Sequence, residues 1–581
     1  MDTGGRALRA RWLGRVRYDE ALSLQRGLFA GSEDDYLLLL EHPHVYTLGV
    51  RADPAHVLVD PTEVGASLVS VDRGGDVTYH GPGQLVGYPI LTVAGRRGGG
   101  MADTVAYVRS VEQILIDTLA ELGLDDTGRL ERHPGVWVAP DSARPRKVAA
   151  VGVRLTRGRS MHGFALNVDP DLTMFDHIVP CGITDLGVTS LAREGIAATM
   201  HEVVDRVVAR AAAVWGHGSV DRADVVWRRP PGDTDLTPFS RGEGAGEPVR
   251  LTSRRITSPR ITSRLAEAGV GDGVALAEPK PEWMRAHVRL GEDVMRLKRT
   301  VRSLDLVTVC EEAGCPNLSE CWAEGTATFM VCGERCTRAC GFCLVDTRKP
   351  APLDVAEPDR VAEAVRRMAL DHVVITMTAR DDLPDGGAAH VAATIEAIRR
   401  ARPSARVEAL ISDLGGDAAA LASVLDAGPD VLNHNIETVA RLQRAVRPSA
   451  GYARSLAVLA RAKADGRALV KSGIVAGMGE TFDEVVTTMA DLRAVGVDIV
   501  TIGQYLRPTS HHLPVDRWWT PDDFDRWKQI GEQRIGIAHV ESSPMTRSSH
   551  HAAQAAGQAE RAAGQAERAT NAAVSVTLRT G

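Results

Sequence analysis

Seven of the chain's eight cysteines lie between Cys310 and Cys343. They form two runs, Cys310-x4-Cys315-x5-Cys321 and Cys336-x3-Cys340-x2-Cys343, with Cys332 between them. Thiolate is a soft ligand, and thiolates clustered at short loop spacings select zinc or iron–sulfur centres. A structural zinc site is closed and tetrahedral and usually draws four ligands from two knuckles of the C-x2-C type. Here each run offers three. On a four-iron cubane, three thiolates leave one iron without a protein ligand, open to a small molecule. A zinc site built from mixed pairs remains open at this point. A disulfide framework fits poorly, because a long chain with no secretory signal and locally concentrated cysteines suits a reducing compartment.

The eighth cysteine, Cys181, stands alone in Ile178-Val-Pro-Cys-Gly-Ile183. A lone cysteine is either a small buried hydrophobe or a nucleophile. Lys147 lies among strand-like residues after a basic turn, and a cationic amine beside a thiol makes thiolate available near neutral pH. The glycine-rich segment from Arg73 to Gln84 would let backbone N–H groups approach an acyl carbonyl closely. Two histidines, His80 and His162, each precede glycine.

These residues need elements to hold them. At 581 residues the chain is too long for one ordinary core, and two or three domains are expected. In the first region Tyr36–Leu40, Tyr88–Leu91, Gly135–Val138 and Val148–Leu155 read as strands. Thr104–Gly123 carries apolar residues at helical spacing and ends on glycine. After Cys343, strand candidates alternate with helix candidates. The strands are His372–Thr376, Arg406–Ile411, Val431–Glu437, Ala468–Val475 and Asp498–Tyr505; the helices are Pro358–Leu370, Ala388–Ala401, Tyr452–Ala464 and Phe482–Val495. Such alternation predicts a parallel sheet of βα units, closed or partly closed as a barrel, with chemistry at the C-terminal strand ends. Polar clusters stand at those ends: Arg380-Asp-Asp382, Asn433-His-Asn-Ile-Glu437, Lys471-Ser472 and Gln504. Between the two regions, 217–279 is broken by Pro/Gly runs and near-repeats and reads as a flexible linker.

The charge of −7 gives no basic footprint, so nucleic acid is not an expected partner. No apolar run approaches the ~20 residues of a membrane span, so no membrane partner is expected either. The arginine-rich start faintly suggests a transit peptide, but no apolar core follows it, and a cytoplasmic protein is expected.

Within 1–216, five segments resemble the octanoyltransferases of lipoate synthesis, the lipoyl(octanoyl)-protein transferases. They are Glu41–Gly49, Arg73–Gln84, Lys147–Arg154, Met161–Asn167 and Pro180–Gly182, in that family's order. The resemblance implies a biotin/lipoyl protein ligase-like α/β domain. In it Cys181 accepts octanoate from acyl carrier protein as a thioester, and Lys147 acts as general acid/base. Arg73, Gly74, Gly75, Asp76, Val77, Thr78, Tyr79, His80, Ala150, Val151, Gly152, Gly163, Phe164 and Ala165 would line the acyl slot. The pattern begins at Trp12-Leu-Gly14, which leaves no room for a transit peptide.

The Cys336-x3-Cys340-x2-Cys343 run resembles the signature of radical S-adenosylmethionine enzymes. The wider likeness, over 280–552, is to lipoyl synthase. It is carried by Cys310–Trp322, Cys336–Cys343, Arg380–Gly387, His434–Thr438, Lys471–Gly473 and Arg547–Ser549. The resemblance implies a partial (βα)6 radical enzyme barrel with two 4Fe–4S clusters. Cys336, Cys340 and Cys343 would hold one, whose open iron chelates S-adenosylmethionine for one-electron cleavage to a 5′-deoxyadenosyl radical. Cys310, Cys315 and Cys321 would hold the other, with Ser549 as a hard, mismatched fourth ligand suited to a cluster that surrenders sulfide. Asn435 and Glu437 would contact S-adenosylmethionine. The sequence departs from the family pattern at three places: His550 stands in place of tyrosine, Met377 in place of a small residue, and Ser412-Asp-Leu414 in place of a Pro-Asp-Phe-like turn.

The combined expectation is an α/β multidomain, bifunctional enzyme of lipoate biosynthesis. It would move octanoate from octanoyl-acyl carrier protein to a lysine of a lipoyl domain, then insert sulfur at carbons six and eight. The implied partners are lipoyl domains of 2-oxoacid dehydrogenases, the glycine cleavage H protein, and an electron donor such as ferredoxin or flavodoxin. One rival is a radical sulfur-insertion enzyme acting on RNA with an N-terminal binding module, against which the acidic balance argues. Another is a metal-stapled, non-catalytic lipoylation scaffold. Residues 553–581, with alanine-rich heptads at 555–561 and 562–568, read as a frayed, low-complexity tail.

Overall fold

The computed structural model describes residues 7–93, 95, 102–182, 186–225, 268–270, 280–284, 299–308, 317, 321, 326–509, 512–562 and 564. The chain divides into two units, Met1–Val225 and Val226–Gly581.

The first unit contains β1 (Leu8–Arg15), β2 (Tyr36–Glu41), β3 (Val45–Leu48), β4 (Ser67–Ser70), β5 (Val77–His80), β6 (Gln84–Ile90), β7 (Thr127–Leu130), β8 (His133–Val138), β9 (Arg146–Thr156), β10 (Arg159–Asn167), β11 (Gly187–Val188) and β12 (Val220–Asp224). Its helices are α1 (Tyr18–Gly31), α2 (Thr104–Glu121) and α3 (Met200–Trp215). The main sheet runs β12-β1-β2-β6-β10-β9-β8-β7, with β11 beside β9, and a small sheet runs β4-β3-β5. Every residue of β2 is buried, as its unbroken leucine run requires. Helix α2 starts where the Asp103 side chain accepts from Ala106 N–H, and it buries Val111, Ile114, Leu115 and Leu119. Helix α3 opens with a reciprocal capping box between Thr199 and Glu202.

The unit runs past the expected boundary at 216. Strand β12 pairs in parallel with β1, and Arg9 reaches Asp221 at 2.6 Å. Its sequence, Val-Asp-Arg-Ala-Asp, has no apolar run to announce a strand, because it lies at a sheet edge and is anchored by charge. Most of the expected linker, 226–267 and 271–279, lies outside the described residues.

In the second unit β13 (Val307–Thr308) pairs antiparallel with β14 (Thr326–Val331). Strands β15 (His372–Met377), β16 (Arg406–Leu410), β17 (Val431–Asn433), β18 (Leu469–Ala476), β19 (Ile499–Gln504) and β20 (His539–Ser542) follow β14 in strictly sequential, parallel order. Parallel neighbours need crossovers. These are supplied by α4 (Glu357–Met368), α5 (Ala388–Ala401), α6 (Ala418–Asp426), α7 (Tyr452–Asp465), α8 (Phe482–Ala494) and α9 (Pro521–Gln529). The result is the expected βα barrel, left open: among the described residues no pairing joins β14 to β20. Inside it Lys471 and Glu408, both fully buried, form an ion pair at 2.9 Å.

The strand expected over Val431–Glu437 ends at Asn433, because the chain leaves the ladder and Glu437 takes a left-handed φ of 66°. The tail expectation is corrected in part. Residues 552–562 are helical, Ala555 and Ala559 pack on Ile499, and Arg406 pairs with Glu560. Alanine is too small to drive a coiled coil, yet it lets this helix lie close against the strand ends. The rest of the tail, apart from residue 564, lies outside the described residues.

Candidate active sites

In the first unit a narrow slot of about 50 Å³ opens between β5, β9 and β10. Twelve of the fourteen residues expected to line it do so: Arg73, Gly74, Gly75, Asp76, Thr78, His80, Ala150, Val151, Gly152, Gly163, Phe164 and Ala165. The other two, Val77 and Tyr79, are corrected. Successive residues of β5 face opposite ways, so both point into a separate core with Tyr46 and Phe175. The slot also takes Tyr18, Val86, Tyr88 and His162, which the glycine-rich motifs did not name. His162 alone had a signal, its place before Gly163. The glycines set the slot's shape: a Cβ on Gly163 would stand 2.1 Å from Gly87 O, and one on Gly87 would strike the Phe164 ring.

Histidines His80 and His162 line the slot beside Arg73 and Asp76. Burial lowers His80 to about 3, with His42 nearby adding to the shift, and lowers His42 itself to about 4. Burial also lowers His162, against the opposing pull of Asp72. His80 is held by Gln84 at 2.8 Å and His42 by Tyr88 at 2.7 Å. Arg73 is buried and donates to Thr47 O at 2.7 Å.

Lys147 does not line the slot. It sits on β9 opposite Trp137 of β8, with its ammonium 4.7 Å from the Trp137 ring centroid, a cation–π contact that fixes a long side chain. The Cys181 side chain lies outside the described residues, but its backbone is placed. Pro180–Gly182 forms a short 3-10 turn, and a Cβ on Gly182 would lie 2.9 Å from Oδ2 of Asp76, a slot residue. Six residues on, β11 pairs Gly187 with Arg146 and Val188 with Lys147. The cysteine turn is thus tied to the slot at one end and to the lysine strand at the other.

In the second unit a cavity of about 510 Å³ opens at the C-terminal ends of the strands. Cys343, Asn435, Glu437 and Ser549 all line it, from three separate segments. Cys336, Cys340 and Cys343 lie in the loop after β14, held by backbone bonds from Cys336 N–H to Asp346 O and from Gly341 N–H to Val446 O, both 2.8 Å. Arg338, within the run, donates to Asp381 at 2.7 Å and to Asp413 at 2.6 Å. Asp413 belongs to the Ser412-Asp-Leu414 departure, so that turn supports the cysteine loop.

Burial raises all three thiols, Cys340 to about 11 and Cys343 to about 12, and each of these two is pushed further by neighbouring cysteines. Three half-buried thiols whose thiolates would repel one another need positive charge among them to ionise together, which fits an iron–sulfur cluster. Asn435 donates to Glu437 at 3.1 Å and to Ser548 at 2.7 Å. Its Oδ1 is buried without a hydrogen-bond partner among the described residues, so an acceptor is left for a ligand's donor. Burial raises Glu437, opposed by Arg447.

Cys310 and Cys315 lie outside the described residues. Cys321 is buried, and its N–H donates to Asn317 O at 3.0 Å. The Asn317 side chain donates in turn to Met545 O at 2.7 Å, four residues before Ser549. Cys332 is buried and off the cavity, with burial raising it to about 12, as a core residue requires.

Known proteins match along the same division. Residues 17–212 match the lipoyl protein ligase A/B catalytic domain. Residues 274–315 match the N-terminal domain of lipoyl synthase, and 330–492 match the radical SAM superfamily. A lipoyl synthase of Rubrobacter xylanophilus is 56% identical over 274 residues, covering 47% of this chain and 85% of that protein. One of Symbiobacterium thermophilum is 54% identical over 281 residues, covering 48% and 88%. Among solved structures, a bi-partite lipoate protein ligase of Thermoplasma acidophilum is 18% identical with a TM-score of 0.32, covering 38% of this chain and 86% of that one.

Proposed function

The chain belongs to the lipoyl synthase family, and from that premise we propose a bifunctional enzyme of lipoate biosynthesis that performs two consecutive steps. The first unit moves octanoate from acyl carrier protein to a lysine of a lipoyl domain. The second inserts sulfur at carbons six and eight of the bound chain. The observation that carries this reading is the single cavity lined by Cys343 of the C-x3-C-x2-C run together with Ser549, Asn435 and Glu437.

In the first step Cys181 attacks the carrier thioester, so that one carbon–sulfur bond forms as another breaks. Lys147 takes the Cys181 proton and returns it to the departing thiol. The lipoyl lysine then displaces Cys181. Neutral His80 and His162 add no charge to the slot, and Val86, Val151, Phe164 and Ala165 give an eight-carbon chain apolar walls.

For the second step Cys336, Cys340 and Cys343 would hold one four-iron cluster, and Cys310, Cys315, Cys321 and Ser549 would hold the other. When bound, the first cluster would supply one-electron chemistry toward S-adenosylmethionine and the second would supply sulfur. Asn435 and Glu437 orient the cofactor, Arg338 steadies the cysteine loop, and the cavity walls keep water from the reacting chain. The fitting partners are octanoyl-acyl carrier protein, lipoyl domains of 2-oxoacid dehydrogenases or the glycine cleavage H protein, and ferredoxin or flavodoxin. A reducing cytoplasm suits them. No helix of the described residues is long and apolar enough to cross a membrane.

The test is the intact mass of a lipoyl domain incubated anaerobically with the full chain, octanoyl carrier protein, S-adenosylmethionine and reductant. We expect octanoylation, then replacement of two hydrogens by two sulfurs. A domain left at the octanoyl stage defeats the second half of the proposal, and an unmodified domain defeats the first.

A further inference from the structure

Just past Ser549 the chain carries two adjacent histidines, and the first of them, His550, is the departure from tyrosine. Both face β20. One donor atom each from Glu541, His550 and His551 lies within 4.8 Å of the other two. Glu541 meets His551 Nδ1 at 3.2 Å through one carboxylate oxygen and His539 Nε2 at 3.3 Å through the other. His539 and Glu541 share a face of β20 by the strand's two-residue period, and His550 stacks on His551 with ring centroids 3.8 Å apart. His550 and His539 are buried, while Glu541 and His551 are half-buried.

We propose that Glu541, His550 and His551 bind one divalent cation of the zinc class, through a donor set that contains no cysteine. Imidazole with carboxylate is a donor set for zinc and its neighbours rather than for calcium or magnesium. Charge-assisted hydrogen bonds run at about 2.7–2.9 Å, and the Glu541–His551 contact is longer. It matches the about 3.3 Å between two ligands each 2.0–2.1 Å from one tetrahedral ion. His539, on the second oxygen, orients the carboxylate, the part such outer partners play at metal sites. Its other ring nitrogen lies 3.5 Å from Glu532. The cation would staple the turn that bears Ser549, and the helix over 552–562 behind it, to the last barrel strand. That anchorage would hold the segment in place while Ser549 lets go of its cluster. The site itself does not depend on the assigned reaction.

The test uses the full chain with its iron–sulfur clusters reconstituted, so that the cysteines are occupied, titrated with Co2+ and then with Zn2+. We expect one Co2+ per chain, visible d–d absorption without a sulfur charge-transfer band, and displacement by one equivalent of Zn2+. Glu541→Gln and His551→Ala should weaken binding at least 100-fold, and His539→Ala about 10- to 100-fold. His550→Tyr keeps an aromatic ring on His551 and removes a donor. It should retain the circular dichroism and cluster absorbance of the parent chain while losing the cobalt spectrum. No bound cobalt, a sulfur charge-transfer band, or unchanged binding in both Glu541→Gln and His550→Tyr would overturn the proposal.

Discussion

The two sites are built in opposite ways. The slot of the first unit is laid mostly on strands, with Arg73 to Asp76 from the loop before β5; on the strands the two-residue period decides which side chains enter, and small glycines decide how closely the walls approach. The cavity of the second unit is laid on loops. Cys343 follows β14, Asn435 and Glu437 follow β17, and Ser549 follows β20, so residues 343 to 549 meet only because the barrel gathers its strand ends. A site on strands is rigid and its members are set by register. A site on loops can take ligands from distant segments, and supporting bonds such as Arg338 to Asp381 and Asp413 must hold it in shape. The lesson is that the two activities should fail independently and by different physical routes.

The largest expected effect tests that independence. Cys340→Ala should abolish sulfur insertion and lower bound iron by about four per chain, the content of one cluster, while octanoyl transfer stays within twofold of the parent rate. Cys181→Ala should do the reverse, removing the thioester and leaving iron content unchanged. Metal analysis and acyl-enzyme mass spectrometry on both variants check the pair. Loss of octanoyl transfer in Cys340→Ala would break the comparison.

The next effect is on stability. Among the described residues the first unit buries three histidines held below their ordinary pKa: His42 at about 4, His80 at about 3, and His162. The second unit has one, His434, at about 4. A folded pKa below the unfolded value of about 6.5 means that the unfolded chain takes up protons first. The stability these groups carry is complete above pH 6.5 and is lost as pH falls toward 4 and 3. At about 1.4 kcal/mol per unit, His42 alone accounts for roughly 3 kcal/mol by pH 4. The second unit's buried Glu408 follows another window. Burial works to raise it, but Lys471 and His372 outweigh burial and hold it at about 2. Its contribution therefore persists down to about pH 4.5 and is lost below. Calorimetry between pH 7 and 5, with cluster absorbance reporting the second unit, should show the first unit's transition falling further. Equal shifts would erase the distinction.

The sequence made the two sites legible to different depths, for the same reason. The cysteine runs and glycine motifs stand out because few other chemistries need them, and helices such as Ala388–Ala401 and strands such as β15 followed from periodicity. What stayed hidden was set by tertiary context. Strand β12 has no apolar run and is held by Arg9 and Asp221. Tyr18 and Tyr88 reach the slot from α1 and β6 by folding alone. Asp413 supports the cysteine loop from a turn read only as a departure. Ala555 and Ala559 bury against Ile499 although their heptads look too weak to pack.

The smallest effect decides whether register governs the slot. Thr78 and Tyr79 are neighbours on β5, but Thr78 lines the slot while Tyr79 packs edge-on to Phe175 at a centroid distance of 5.2 Å and bonds His44 at 2.7 Å. Tyr79→Phe keeps the ring and removes that hydrogen bond, which should cost about 0.5–1.5 kcal/mol of stability and leave KM for octanoyl carrier protein unchanged. Thr78→Val should leave stability nearly unchanged and raise KM, because of the two side chains only Thr78 faces the slot. Chemical denaturation and steady-state kinetics on the two variants separate the outcomes. If Tyr79→Phe raised KM as much as Thr78→Val, strand alternation would not be what sorts these residues, and the slot would have to be shaped by the mobility of β5 instead.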